Sequence, residues 1–286
     1  MARTKNVPKG QELANWQEEV GAEAKAAAST EKPSGGQKIS TKGGIFTFEG
    51  ASTSELEVIV LDYSMENTYY RDKFDSDNPV PPHCFALALA KEGAEDAMAP
   101  HENSAEPISD SCVGCPFNQF KSDDNGKGKR CKNIRKLAVI PASRDAKGAL
   151  ALTPEVIRDS KIATLNVPPT CLASWKGFIS SVAKAMRRPP VGVVTNVKIE
   201  RKQLGFDLLF SVPDDGEIDF SNYPSLWPAL VAKREEAREI LLKPYDKFDP
   251  EAQAAPKAGK SAPSARAARF TGKPAAAPAG KGALRR

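Results

Sequence analysis

The chain has 286 residues, with 41 Lys and Arg against 36 Asp and Glu, a formal net charge of +5. That length allows one large domain or two small ones, and no stretch approaches the roughly 18 consecutive apolar residues of a membrane span. Five cysteines, an odd number, and only two histidines favour reduced thiols and metal over disulfides and leave little room for histidine-based catalysis.

The positive charge is unevenly spread. Residues 251–286 hold eight basic residues and one acidic, so residues 1–250 carry a slight negative excess of −2. The isoelectric point alone is therefore a weak argument for nucleic acid. At the other end, MARTKNVPKGQELANWQEEV contains no apolar run of signal-peptide length, and a cytoplasmic location is expected. Residues 11–28 predict a short helix with Trp16 as its one large aromatic. Such a helix is marginal alone in water, which leaves it loosely attached or docked on a partner or a neighbouring copy. Residues 29–43 read as linker, so 1–43 form a first region of helix and linker.

The core is expected over 44–245. GIFTFEG reads as a first strand. In SELEVIVLDYSMENTYYRDKF, Leu56, Val58, Val60 and Asp62 alternate with Glu57, Ile59, Leu61 and Tyr63, the pattern of a long strand buried on much of both faces. DSDNPVPP breaks it, and HCFALALA resumes as a third strand. Residues 91–136 then leave the strand pattern for a polar excursion before Leu137–Ile140 takes it up again. After a loop, IATLNVPPT leads into a helix expected to be capped by Thr170. Its apolar stripe is Leu172, Trp175, Ile179, Val182 and Met186, ended by Pro189 and Pro190. VGVVTNVKIER is a strand with Val191, Val193, Thr195, Val197 and Ile199 on one face, and GFDLLFSV pairs with it through a hairpin at 202–205. A last helix runs from about Ser225 to Leu242. From 246 onward, Ala, Pro, Gly, Lys and Arg leave no apolar face to bury, and a disordered basic tail is expected.

Five or six strands with few helices predict a mainly β, α+β core. An OB-like small barrel with an inserted zinc-binding subdomain and flanking helices accounts for them, because closure hides strand edges; a β-sandwich is the competing arrangement.

The excursion carries the chemistry. Cys112-x-x-Cys115 followed by Pro116 is a knuckle whose two thiolates can bite one metal ion from a single turn, and Cys131 follows a loop rich in Gly, Lys and Asp. Tetrahedral zinc takes four such ligands at about 2.3 Å. Cys84 in PPHCFALAL is the choice for the fourth, with His83 and His101 as substitutes. The opposing reading makes these cysteines small buried hydrophobes, but a knuckle in a glycine-rich polar loop is poor core material. One structural zinc is expected. The same stretch is basic: Lys121, Lys127, Lys129, Arg130, Lys132, Arg135 and Lys136 stand against Asp123 and Asp124, a loop suited to phosphate unless it is merely solvated.

Several enzyme signatures are missing. GGQKIS and NGKGKRC fail the P-loop spacing, no H-E-x-x-H or G-x-S-x-G occurs, and no His-x-Glu accompanies the knuckle as a zinc deaminase requires. A non-enzyme is expected.

The run GGIFTFEG, VIVLDYSMENTYYRDKFDSDNPVPPHCFALA, APHENS, CVGCPFNQF…GKGKRCKNIRKLAVIP and VPPT, over about residues 37–212, resembles a family of uncharacterised bacteriophage and prophage proteins. In arrangement it is also similar to phage single-stranded DNA-binding proteins that carry a zinc subdomain inside an OB barrel. That likeness implies a role in replication or recombination in the host cytoplasm, with replication or recombination proteins as partners. Cys171 falls outside the motif and is left out of the metal site. The tail is basic, where many single-stranded DNA-binding proteins end in an acidic, partner-recruiting tail.

Sequence-tolerant binding of single-stranded DNA needs a cationic groove and aromatic platforms. The candidates are Tyr63, Tyr69, Tyr70, Phe74, Phe117 and Phe120 for stacking. Arg71, Lys121, Lys127, Lys129, Arg130, Lys132 and Arg135 are the candidates for phosphates. The alternative is a zinc-stabilised phage accessory or virion-associated protein whose tail alone contacts DNA. A metal-dependent nuclease is a third reading, for which the acidic residues are too scattered.

Overall fold

The computed structural model describes residues 37–72 and 80–247. The expected N-terminal helix, Phe74 and the basic tail lie outside the described residues. The strands are β1 (Gln37–Ile39), β2 (Phe46–Phe48), β3 (Ala51–Thr53), β4 (Glu55–Tyr69), β5 (Cys84–Leu89), β6 (Lys132–Pro141), β7 (Ala163–Val167), β8 (Thr195–Arg201) and β9 (Phe206–Ser211). The α-helices are α1 (Pro154–Asp159), α2 (Leu172–Ser181) and α3 (Leu226–Leu242). The fold is mixed α+β and rich in strands.

β4 is the axis. β6 lies antiparallel along one of its edges, while its other edge is shared by β8 at the start, Glu55–Val58, and β5 at the end, Ser64–Tyr69. The pairing path runs β1-β7-β6-β4-β8-β9 with β5 beside β4, and β2 and β3 form a separate hairpin. Among the described residues this path does not close, so the expected barrel is absent, and one seven-stranded sheet is not a sandwich either. The runs VIVL in β4 and LAVI in β6 explain the outcome. They are apolar at every position, and a strand of that kind asks for cover on both faces. Val58, Val60, Leu137, Val139 and Leu165 pack under Trp175 and Phe178 of α2. On the other face, Ile59, Leu61, Ala138 and Ile140 meet Leu226, Leu230, Ala237 and Leu241 of α3 and Ile157 of α1. The result is helix, sheet and helix in three layers.

A bulge interrupts β4 between Val60 and Asp62, where the register against β6 shifts. It inverts the alternation expected from the sequence. Leu61 and Asp62 both face α3: Leu61 enters its apolar core, and the buried Asp62 accepts from Arg234 at 2.9 Å and Arg238 at 2.8 Å. Tyr63 turns to the α2 side, with its ring edge-on to Trp175 at 5.3 Å.

Other expectations need correction. Residues 37–39, read as linker, form β1, parallel to β7; a three-residue edge strand with Ile39 buried is too short to show a period. β7 is a strand where the sequence predicts only a lead-in to a helix. α1 was missed, although Thr153-Pro154 is a start signal and the Thr153 hydroxyl accepts from Val156 N at 3.2 Å. Thr170 does not cap α2; it lies in the 3₁₀ turn Pro169–Cys171, and α2 has no side-chain cap. The buried line of that helix is Trp175, Phe178 and Val182, with Leu172, Ile179 and Met186 at its margins. It widens into a π turn at Val182–Met186 before left-handed Arg187. Val191 belongs to the α3 face, not with Val193, Val197 and Ile199, because a 3₁₀ turn at Pro190–Gly192 breaks the period. The hairpin at 202–205 and the last helix form as expected.

Candidate metal centre and nucleic-acid interface

The polar excursion is tied to β5 by its own backbone: His101 N donates to Phe85 O at 2.7 Å and Glu106 N to His83 O at 2.8 Å. At the knuckle, Pro116 starts a 3₁₀ turn, Pro116–Asn118, as its locked φ favours. The Asn118 amide donates to Cys112 O at 2.7 Å, and the Gln119 amide to Val113 O at 2.9 Å. These bonds hold the turn closed. Cys131 N donates to Phe117 O at 2.9 Å, which brings the third cysteine back to the first two.

Cys84, Cys112, Cys115 and Cys131 line one cavity of about 20 Å³, walled by Asn67, Tyr69, Phe85 and Phe117 among others. That is room for a guest the size of one water molecule. All four thiols are free of disulfides, and Cys112, Cys115 and Cys131 are buried. Burial pushes the Cys131 thiol up to about 12, with Cys112, Cys115 and Cys84 adding to the shift. Burial likewise raises Cys84 and Cys112. The thiols thus feel one another's charge. Even so, among the described residues no group of three or more His, Cys, Asp or Glu stands ready to hold a metal ion. Lining a common cavity is a looser condition than joint coordination. The donor set and the cavity size both fit a thiophilic ion.

Neither histidine lines the cavity. His83 is buried, and its Nδ1 accepts from Arg71 N at 3.4 Å. His101 stacks on Phe85 with centroids 5.0 Å apart, and its Nδ1 accepts from Asn103 N at 3.1 Å. Cys171 lies apart, where it accepts from Leu208 N at 3.3 Å.

The basic loop is built on Asp123, whose carboxylate accepts from Lys127 N at 2.8 Å. Backbone donors, Gly128 first, hold that carboxyl below its ordinary value. Gly126 takes the positive φ the turn requires, +64°. Phe120 stands 77% exposed, with Lys129 Nζ 5.2 Å from its ring centre, and Arg130 lies over Phe117 at 5.1 Å. Lys121, Lys127 and Lys132 are exposed on the same loop. Lys129 Nζ also donates to Asn118 Oδ1 at 3.2 Å, and Lys132 Nζ to Lys129 O at 2.8 Å.

Not every candidate joins this cluster. Arg71 pairs with Glu106, Arg130 with Asp124 at 2.8 Å and Arg135 with Glu95 at 3.4 Å. The Arg71 and Arg130 pairs are exposed, and such pairs contribute about 0–1 kcal/mol, so a phosphate can compete for those two cations. Tyr69 is buried against Phe117, 4.8 Å between centroids, and serves as wall rather than platform. Tyr70 is half-buried, with a side-chain hydrogen bond to Tyr245. Tyr63 and Arg135 line a separate groove of about 530 Å³ with Glu95, Trp175 and Lys176. Trp175 and Lys176 were missed from sequence as groove residues, since Trp175 lies on the apolar stripe of its helix. No protein-family model, curated protein or solved structure matches the chain. Among the described residues no helix is long and apolar enough to cross a membrane.

Proposed function

We propose that the chain is a non-enzymatic single-stranded DNA-binding protein of phage type, serving replication or recombination in the host cytoplasm. Its zinc-binding subdomain is inserted in an OB-like core that stays open instead of closing into a barrel. In this reading Cys84, Cys112, Cys115 and Cys131 hold one structural zinc, which supplies folding energy rather than catalysis. The ion would stabilise the thiolate form, against the burial that raises Cys84, Cys112 and Cys131. The observation that carries the reading is Phe120. A phenylalanine 77% exposed, flanked by Lys121 and Lys129 and followed by Lys127 and Lys132, offers a stacking face among cations.

Filter binding with labelled oligonucleotides tests it. The full chain is expected to prefer single over double strands. Phe120→Ala is expected to cost roughly 1–3 kcal/mol, the measured range for one base stacked on an aromatic ring. Lys121→Ala with Lys127→Ala is expected to lower the salt dependence by about 0.7 per lost contact. Equal affinity for both strand forms, with Phe120→Ala unchanged, overturns the reading.

A second reading is a zinc-stabilised interaction protein that meets DNA only through its tail. It is favoured by Tyr223, Trp227 and Val231, exposed to 60%, 40% and 37% around the start of α3. Deletion of 251–286 separates the two, since only the second predicts that DNA binding disappears.

A further inference from the structure

On the α3 side of the sheet, beyond the end of that helix, lies an open groove of about 950 Å³, within the roughly 300–1,000 Å³ of small-molecule clefts. Three lysines from three separate elements line it: Lys38 of β1, Lys136 of β6 and Lys243 just after α3. The sheet register gives Lys38 and Lys136 no carboxylate neighbour directly opposite. Lys38 faces Thr164, and Lys136 lies between Asn166 on one side and Ser64 on the other. Among the described residues none of the three amines is in an ion pair. The one buried carboxylate of the groove, Glu66, receives the Tyr245 hydroxyl, while Glu239 and Asp246 stand exposed along the lining. Burial holds the half-buried Lys136 amine below its ordinary value; the Glu66 carboxylate opposes that shift, and Lys38 and Lys243 add to it.

Three amines from separate elements converge beside Thr164 and Asn166, with the carboxylates of Glu66, Glu239 and Asp246 also on the lining, and a multivalent anion can take the three amines together. Phosphate accepts from ammonium, hydroxyl and amide donors alike. We propose that this groove binds a phosphate ester, with Lys38, Lys136 and Lys243 on the phosphate and Thr164 and Asn166 beside it. The site is separate from the basic loop of residues 121–132 and stands whether or not that loop binds DNA. The phosphate comes either from a free nucleotide or from the backbone of a strand.

Calorimetric titration of the full chain at low salt, with inorganic phosphate, ADP and a short oligothymidylate as probes, tests it. Binding of at least one probe is expected. Lys243→Ala and Lys38→Ala, both at exposed positions, are each expected to weaken it about tenfold, and Lys136→Gln more, while Phe120→Ala leaves ADP binding unchanged. ADP binding assigns the source to a free nucleotide; oligothymidylate binding that Lys243→Ala weakens assigns it to a strand. The proposal is overturned if no probe binds, or if Lys38→Ala and Lys243→Ala leave all binding unchanged. Should Lys136→Gln fail to fold, the two exposed positions decide the matter alone.

Discussion

Asp62 gathers more of the structure than its place in β4 suggests. It is 7% exposed and accepts from both Arg234 and Arg238, so one carboxylate pins α3 to the sheet. Asp62→Ala removes the shared acceptor, but the two guanidinium groups are a third exposed and can rehydrate. The expected loss is therefore about 1–3 kcal/mol, read as a lower midpoint in urea unfolding with an unchanged slope. An unaltered midpoint sinks this account of α3. Alternation alone placed this residue with Val58 and Val60; nothing in LDYS marks the extra residue of a bulge, which is set by pairing to β6 and not by local preference. The cavity was easier to read. Cys112, Cys115 and Cys131 are close in sequence, and Cys84 reaches them because β5 returns beside Tyr69 of β4.

At the scale of elements, α2 is held by an aromatic cluster. Trp175 touches Tyr63, Phe178 and Phe210 at centroid distances of 5.3, 5.7 and 5.1 Å. Trp175→Ala is expected to cost about 3–5 kcal/mol, measured by chemical unfolding, and to open the groove shared with Tyr63 and Arg135. A loss below about 1 kcal/mol contradicts this packing. Long periodic segments such as β4, α2 and α3 were legible because their apolar positions repeat over several turns or pleats. β1 and β7 were not, since their contribution is tertiary: Ile39 and Leu165 join the core under α2 where β1 pairs parallel to β7 and β7 pairs with β6. The start of α1 is written in the sequence at Thr153-Pro154, where the hydroxyl caps Val156 N.

The whole molecule divides its work between the two faces of one sheet. Apolar layers under α2 and α3 hold the sheet, and the excursion after β5 carries the cysteine-lined cavity and the cationic loop. Strand count alone suggests a barrel, whereas the doubly apolar runs VIVL and LAVI call for cover on two sides. We propose that one ion, gripped by four sulfurs, fixes the loop that presents Phe120 to single strands. Zinc content, measured with oligonucleotide affinity on the same reduced preparations, tests this most directly. The full chain is expected to hold about one zinc, and Cys84→Ser to lose both zinc and single-strand binding. A parent protein without zinc, or a zinc-free variant that binds as well as the parent, contradicts the account.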